Sequence, residues 1–312
     1  KAAGVLILAG LLGFGTSTSR LWTTYEYAQE TIRGKSELTN KVFSSGSEAG
    51  EDGLSKEYIF DWSYGKLETF NLLIPNYVGG TSMKVFANER GSASLSALQR
   101  LGNQEQARQL ANQTSHYWGA QPFTGAPAYM GIIFVFLFFL GGFLVKGQLK
   151  WWCIIGTILT IFLAWGDNFK IFNYFMVDYF PMFNKFRAVT MALGITSLFV
   201  AMLGMMGLQE FFSINALKEE KWDALKKAGM ATGGLLLLGF LLSFGLDYGT
   251  ADRNFPPDLA AALAEDRSGL LRADVLRSFI YFGLAFGALW FSFKQSWKPI
   301  ITISILGILI FA

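Results

Sequence analysis

This chain has one cysteine, Cys153, and one histidine, His116, among its 312 residues. A single cysteine excludes any intrachain disulfide and any cysteine-based metal site. A single histidine argues against a histidine-based metal centre, because such sites draw on several ligands. Charge is scarce as well. Only 16% of residues are charged and the formal net charge is +3, too small to suggest nucleic acid, and no basic patch with interleaved aromatics appears. No phosphate-binding loop, dinucleotide fingerprint, nucleophile elbow or metalloprotease motif is present.

Apolar sequence fills the space. Hydrophobic residues make up 52% of the chain, with 30 Phe and 9 Trp, and they fall in runs. A helix of about 20 apolar residues covers the ~30 Å hydrocarbon core of a bilayer. Seven runs read as spans: 2–17, 127–145, 151–166, 188–208, 229–247, 276–293 and 298–312. The fold class expected is therefore all-α, a polytopic helical membrane protein. The two terminal runs are shorter than a full span, so the chain reads as an internal piece of a larger protein. The domain reading is a truncated span at 1–17, an extracytoplasmic loop region at 18–126, and a six-span region at 127–312.

The connections alternate in character. Lys146 and Lys150, then Lys218, Lys221, Lys226 and Lys227, then Lys294 and Lys298 occupy short loops that the positive-inside rule places in the cytoplasm with Lys1. The other loops, 18–126, 167–187 and 248–275, then face outward. Trp151, Trp152, Trp222 and Trp297 mark one membrane interface, and Trp22 and Trp165 the other. Residues 33–56 read as a flexible surface segment, 57–80 as a short surface helix running into an ordered turn, and 94–114 as one surface helix.

Three segments carry a functional signal. Residues 116–131 hold two prolines, three glycines and four aromatics, which excludes plain helix and predicts ordered backbone packed against 165–187. His116, at its start, suits a general base at neutral pH or, more simply, a surface position. Asp167 and Asn168 are placed either to cap the following helix or to face an outer cavity. Lys185 and Arg187 are either lipid-phosphate ligands or snorkelling cations at the interface. The runs themselves carry almost no charge, which speaks against an ion-coupled transporter.

The order of these motifs resembles the bacterial YfhO family of multispanning membrane proteins. Trp-Thr-Thr-Tyr-Glu-Tyr-Ala at 22–28 is followed by Arg33-Gly34. Then come the segments at 62–80, 117–131, 165–169 (Trp-Gly-Asp-Asn-Phe) and 183–188 (Phe-Asn-Lys-Phe-Arg-Ala). The match is specific over about 20–200. The family is similar to C-type glycosyltransferases, and the resemblance implies a GT-C-like fold in the bacterial cytoplasmic membrane. It further implies transfer of a sugar from a polyprenyl-phosphate carrier to an envelope glycan or polymer on the outer face. Lys185 and Arg187 become candidates for the lipid phosphate. Trp62, His116, Tyr117, Trp118, Gln121, Asp167 and Asn168 become candidates for sugar or substrate contact. The catalytic carboxylate, and any divalent metal, would lie in sequence outside this chain, and no other cofactor is implied. A lipid-linked glycan flippase and a non-enzymatic envelope scaffold are the competing readings.

Overall fold

A computed structural model describes residues 2–31, 54–101, 103–214, 216–250, 255–295 and 297–311. The segment 33–56 lies almost wholly outside these residues. The described chain is helical, and its only β pairing is an isolated antiparallel bridge between Val85 and Ser115. Eleven α-helices are described: α1 (Ala2–Gln29), α2 (Lys56–Phe60), α3 (Ala93–Arg100), α4 (Gln104–Ala111), α5 (Ile132–Leu144), α6 (Gln148–Ala164), α7 (Lys170–Tyr179), α8 (Leu193–Phe212), α9 (Lys218–Leu242), α10 (Pro257–Gln295) and α11 (Pro299–Phe311).

Among the described residues three helical stretches are long and apolar enough to cross a membrane: 189–212, 218–245 and 257–295. A fourth results if α6 and residues 166–179 count as one span bent by 115°. Their outward sides stay apolar. Only 28% of the hydrophobic window of α8 is buried within the protein, and Ile195, Leu198 and Met205 are exposed, as are Leu237, Leu241, Ile280 and Leu284 on α9 and α10. A helix apolar all round yet largely unburied belongs in lipid. The expected runs at 127–145 and 298–312 contain helices of only 13 residues. At 1.5 Å per residue these reach about 20 Å, short of a full crossing.

Short α5 is nonetheless the centre of the bundle. It packs against α8, α9 and α10, while α8 also packs on α6 and α10 on α11. Its buried side includes Ile132, Phe136, Leu137, Leu140 and Leu144. Glycine brings α5 and α8 together: a Cβ on Gly141 would overlap the Leu203 carbonyl, and one on Gly207 would overlap the Gly141 backbone. Such small-residue crossings are how apolar helices associate where no hydrophobic force acts between them.

The connections between the bundle helices sort to two ends. At one end Lys146 pairs with Glu220 at 2.8 Å, and Trp222 stacks on Phe293 with centroids 5.5 Å apart. At the other end residues 54–131, 165–192 and 243–250 form a layer of short helices and irregular chain. There the expected single helix at 94–114 is two. The chain leaves α3 at Leu101, and Asn103 starts α4 by accepting from the Glu105 and Gln106 N–H groups. The surface helix expected at 57–80 is α2 followed by a 3-10 turn at Leu67–Leu72. Ile59, Tyr64, Ile74 and Tyr77 within it are at most 1% exposed, so the segment is core rather than surface.

The crossing of α5 and α8 yields a direct test. Gly141→Ala should cost about 2 kcal/mol in detergent unfolding, because the new methyl meets backbone that has no rotamer to give. Gly142→Ala, whose Cβ has only Ile154 Cδ1 within reach at 3.9 Å, should be neutral or slightly stabilising. Equal effects at the two positions would show that the close crossing does not exist.

Candidate functional site

Residues 116–131 are irregular, as two prolines and three glycines require. Their partners differ from the expectation. Trp118 N–H donates to the Val78 carbonyl, Tyr117 N–H to Thr81, and Ser82 N–H to Thr124. Only Ala128 and Met130 reach the cluster of Trp165. The segment therefore packs mainly on 62–82, because the Gly79-Gly80 turn lets the two backbones touch. Gly79 has φ +79°, and a Cβ there would overlap the His116 carbonyl.

A buried carboxylate that the sequence reading missed joins these two segments. Glu68 is 2% exposed. Tyr117 donates its hydroxyl to Glu68 Oε1 at 2.5 Å, and Gly65 N–H donates to Oε2 at 2.5 Å. The Tyr117 hydroxyl in turn accepts from Gln121 N–H at 2.8 Å. Gly119 has no side chain because a Cβ would strike Glu68 Oε1. Burial pushes the Glu68 carboxyl above its ordinary value, opposed by hydrogen bonds from Tyr117, Gly65, Gln121 and Ala120. Tyr117, 5% exposed, and Gln121 are therefore engaged in an internal clasp. Trp118 is half-buried with its ring edge-on to Tyr248, centroids 5.5 Å apart.

His116 is not on the surface. It is 7% exposed, its ring stacks on Phe86 at 4.1 Å, and Nε2 lies 2.9 Å from Glu89 Oε1. Burial lowers the imidazole below its ordinary value, while Glu89 opposes the shift. Asp167 and Asn168 do not cap α7, whose first turn has no side-chain cap. Instead Tyr174 donates to Asp167 Oδ1 at 3.0 Å, Lys170 lies 3.3 Å from Oδ2, and Asn168 Nδ2 donates to the Tyr64 carbonyl at 3.0 Å. The pair fixes the bend after α6: a 3-10 turn already occupies 166–169, so capping at Asp167 has no helix start to act on.

Arg187 and Trp62 do meet. The Arg187 guanidinium carbon lies 4.8 Å from the Tyr58 ring centroid and 5.2 Å from that of Trp62, and its Nη1 donates to the Tyr58 hydroxyl. Phe123 stands edge-on to Trp62 at 5.3 Å. Arg187 is exposed and Lys185 half-buried. Two non-glycine residues in left-handed backbone bracket the segment, Met182 at φ 64° and Ala188 at φ 62°; such residues are held there only by their surroundings and cluster at functional sites. Neither of two cavities in the bundle is lined by Lys185 or Arg187. One, of about 600 Å³, lies beside Tyr129 and Arg277. The other, about 200 Å³ and apolar, lies beside Phe139 and Thr157. Among the described residues no group of three or more His, Cys, Asp or Glu could hold a metal.

The Glu68 clasp carries a pH signature. Its folded-state pKa is raised, so its contribution to stability is complete below the ordinary carboxylate pKa and is lost as pH rises through the raised value. The thermal-midpoint advantage of the wild type over Glu68→Ala should be greatest at or below the ordinary carboxylate range and shrink as pH rises above it. An advantage that grows with pH would show instead that the hydrogen bonds outweigh burial.

Searches of family models, curated proteins and solved structures find no match to this chain, so its function rests on the residues themselves.

Proposed function

We propose that this chain is part of a membrane glycosyltransferase, GT-C-like and multispanning, that uses a polyprenyl-phosphate-linked sugar. The loop layer would face outward from a bacterial cytoplasmic membrane, and the acceptor would be an envelope glycan or polymer. One observation carries the reading. Arg187 lies over two aromatic rings, exposed at the loop end of an apolar helix bundle, in a segment bracketed by two left-handed residues. A guanidinium preset in this way presents its remaining N–H groups as a planar fork, which matches phosphate oxygens. Trp62 and Phe123 beside it give an aromatic surface of the kind on which sugar rings stack.

In this reaction an acceptor hydroxyl attacks the anomeric carbon. The bond from that carbon to the lipid phosphate oxygen breaks, and the phosphate leaves with the electron pair. The acceptor proton passes to a base. Arg187, with Lys185 nearby in the chain, would stabilise the charge growing on the leaving phosphate. Glu68 is unsuited to be the base, because it is buried and both its oxygens already accept hydrogen bonds. No described residue is assigned that role.

The test is transfer of labelled sugar from a polyprenyl-phosphate donor in membranes holding the protein. Arg187→Ala should lower the rate about 100-fold, corresponding to roughly 2.7 kcal/mol of transition-state stabilisation. Arg187→Lys should recover it only in part, since a point charge lacks the fork. Wild-type transfer by Arg187→Ala, with insertion unchanged, would assign Arg187 to the interface as a snorkelling cation.

A further inference from the structure

The larger cavity lies away from Arg187 and has a lining of two kinds. Its volume is about 600 Å³, and it opens between the start of α5, the middle of α10 and the end of α11. Tyr129, Ser278, Arg277 and Tyr281 supply polar groups, and Phe134 and Ile310 are among its apolar residues. We propose that this cavity binds an anionic phospholipid of the surrounding bilayer, its phosphate on Arg277 and its chains along the apolar part. The proposal needs the membrane reading but not sugar transfer.

Arg277 is the cation that selects the ligand. Its side chain is 62% exposed, and the ion pair it makes is a long one, 3.4 Å to Asp274 Oδ1. Asp274 is itself buried and accepts from Asn76 Nδ2. The carboxylate thus steadies the arginine from the protein side, and most of the guanidinium's five donors remain for a ligand. The start of α5 lies beside it. Gly131 begins α5 with φ +93° and no side-chain cap. The N–H groups of a helix's first turn have no intrahelical acceptor, and the helix dipole favours an anion there. Ile132 N–H reaches the Tyr129 hydroxyl at 3.3 Å, while Ile133 and Phe134, next in that turn, also line the cavity.

Size and polarity choose the source of the phosphate. A volume near 600 Å³ is that of a pocket for a whole small molecule, larger than inorganic phosphate needs. Phe134, Leu309 and Ile310 offer a free ion nothing to bind, whereas an acyl chain suits them. Tyrosine and arginine above an apolar surface are also the residues of a membrane interface.

The full chain, purified in a neutral detergent, is offered phosphatidylglycerol, phosphatidylcholine or inorganic phosphate. Bound lipid is read by native mass spectrometry and the unfolding midpoint by heating. Phosphatidylglycerol should remain as a one-to-one adduct and raise the midpoint, as any ligand of the native state does. Arg277→Ala should weaken that binding at least about tenfold, and Arg277→Lys less. Ile310→Trp, which fills the apolar part and leaves Arg277 in place, should also weaken it, and carries the test if Arg277→Ala does not fold. Arg187→Ala should bind as the wild type does. Phosphatidylglycerol binding unchanged in both cavity variants overturns the proposal. So does equal binding of phosphatidylcholine, which would show no selection for net charge. A rise in midpoint with inorganic phosphate equal to that with phosphatidylglycerol would make this a free-anion site.

Discussion

The loop layer depends on the buried guanidinium of Arg267. Arg267 is 1% exposed and belongs to α10. It donates to the Ser115 carbonyl from Nε at 3.2 Å and Nη2 at 2.7 Å, and to the Tyr248 carbonyl from Nη1 at 2.6 Å. Irregular chain next to a bilayer has backbone carbonyls that neither a helix ladder nor water can satisfy, and leaving them orphaned is costly. One arginine answers two loops at once. Its neighbour Asp266 faces α3 and accepts from the Ala93 and Ser94 N–H groups at 2.9 and 2.8 Å. Further along, Asp274 holds Asn76, and the Ser278 hydroxyl donates to the Leu73 carbonyl at 3.2 Å. At 39 residues α10 is about 58 Å long, nearly twice a bilayer core. It serves as a post that begins among the loops and ends among the lysines.

From that post a series of contacts leads to the candidate site. Arg267 fixes Ser115, two residues before Tyr117, whose hydroxyl holds Glu68. Glu68 closes the turn that begins at Gly65. Just upstream, Ser63 Oγ accepts from Asp167 N–H at 2.8 Å and the Tyr64 carbonyl accepts from Asn168. Those two residues set the bend into α7, where Tyr174 stacks on Phe60 of α2 at 5.6 Å. Tyr58, also of α2, carries Arg187. Several residues proposed from sequence as substrate contacts, namely Tyr117, Gln121, Asp167 and Asn168, are thus tied into this series, while His116 stands beside it, stacked on Phe86. Of the candidates, Trp62 and Arg187 stand at its exposed end.

The sequence reading reached the apolar stretches of α8, α9 and α10 and the irregular stretch at 116–131, because hydropathy and proline act locally. It stopped where a residue's role depends on a partner distant in sequence. Glu68 and Asp274 look like ordinary loop charges until Tyr117 and Asn76 are brought to them. Arg267 did leave a trace. Leu259, Leu263 and Leu271 recur every four residues with Arg267 in the same stripe, and all four are buried. A charged residue on the apolar stripe of a helix is the signal of a buried, satisfied cation. The stripe also shows that α10 begins near Pro257, well before the apolar run at 276–293. The break between α3 and α4 was written in Asn103, a capping residue that outweighs the helix formers around it.

The shortness of α5 ties the bundle to both cavities. Its glycine-mediated contact with α8 holds it at the centre, yet its 13 residues reach only about 20 Å along a core of ~30 Å. Ahead of it comes irregular chain, residues 127–131, which joins the turn at Leu67–Leu72 where Met130 N–H donates to the Leu72 carbonyl at 3.1 Å. Such chain cannot pack as closely as a helix whose side chains interdigitate with its neighbours. Space therefore opens on both sides of the start of α5, and Met130 lines the larger cavity and the smaller one alike. The recess proposed to take a lipid is thus bordered by the irregular chain that precedes the central helix, and Tyr129 of that chain stands beside Arg277 and Tyr281 of α10 in its lining.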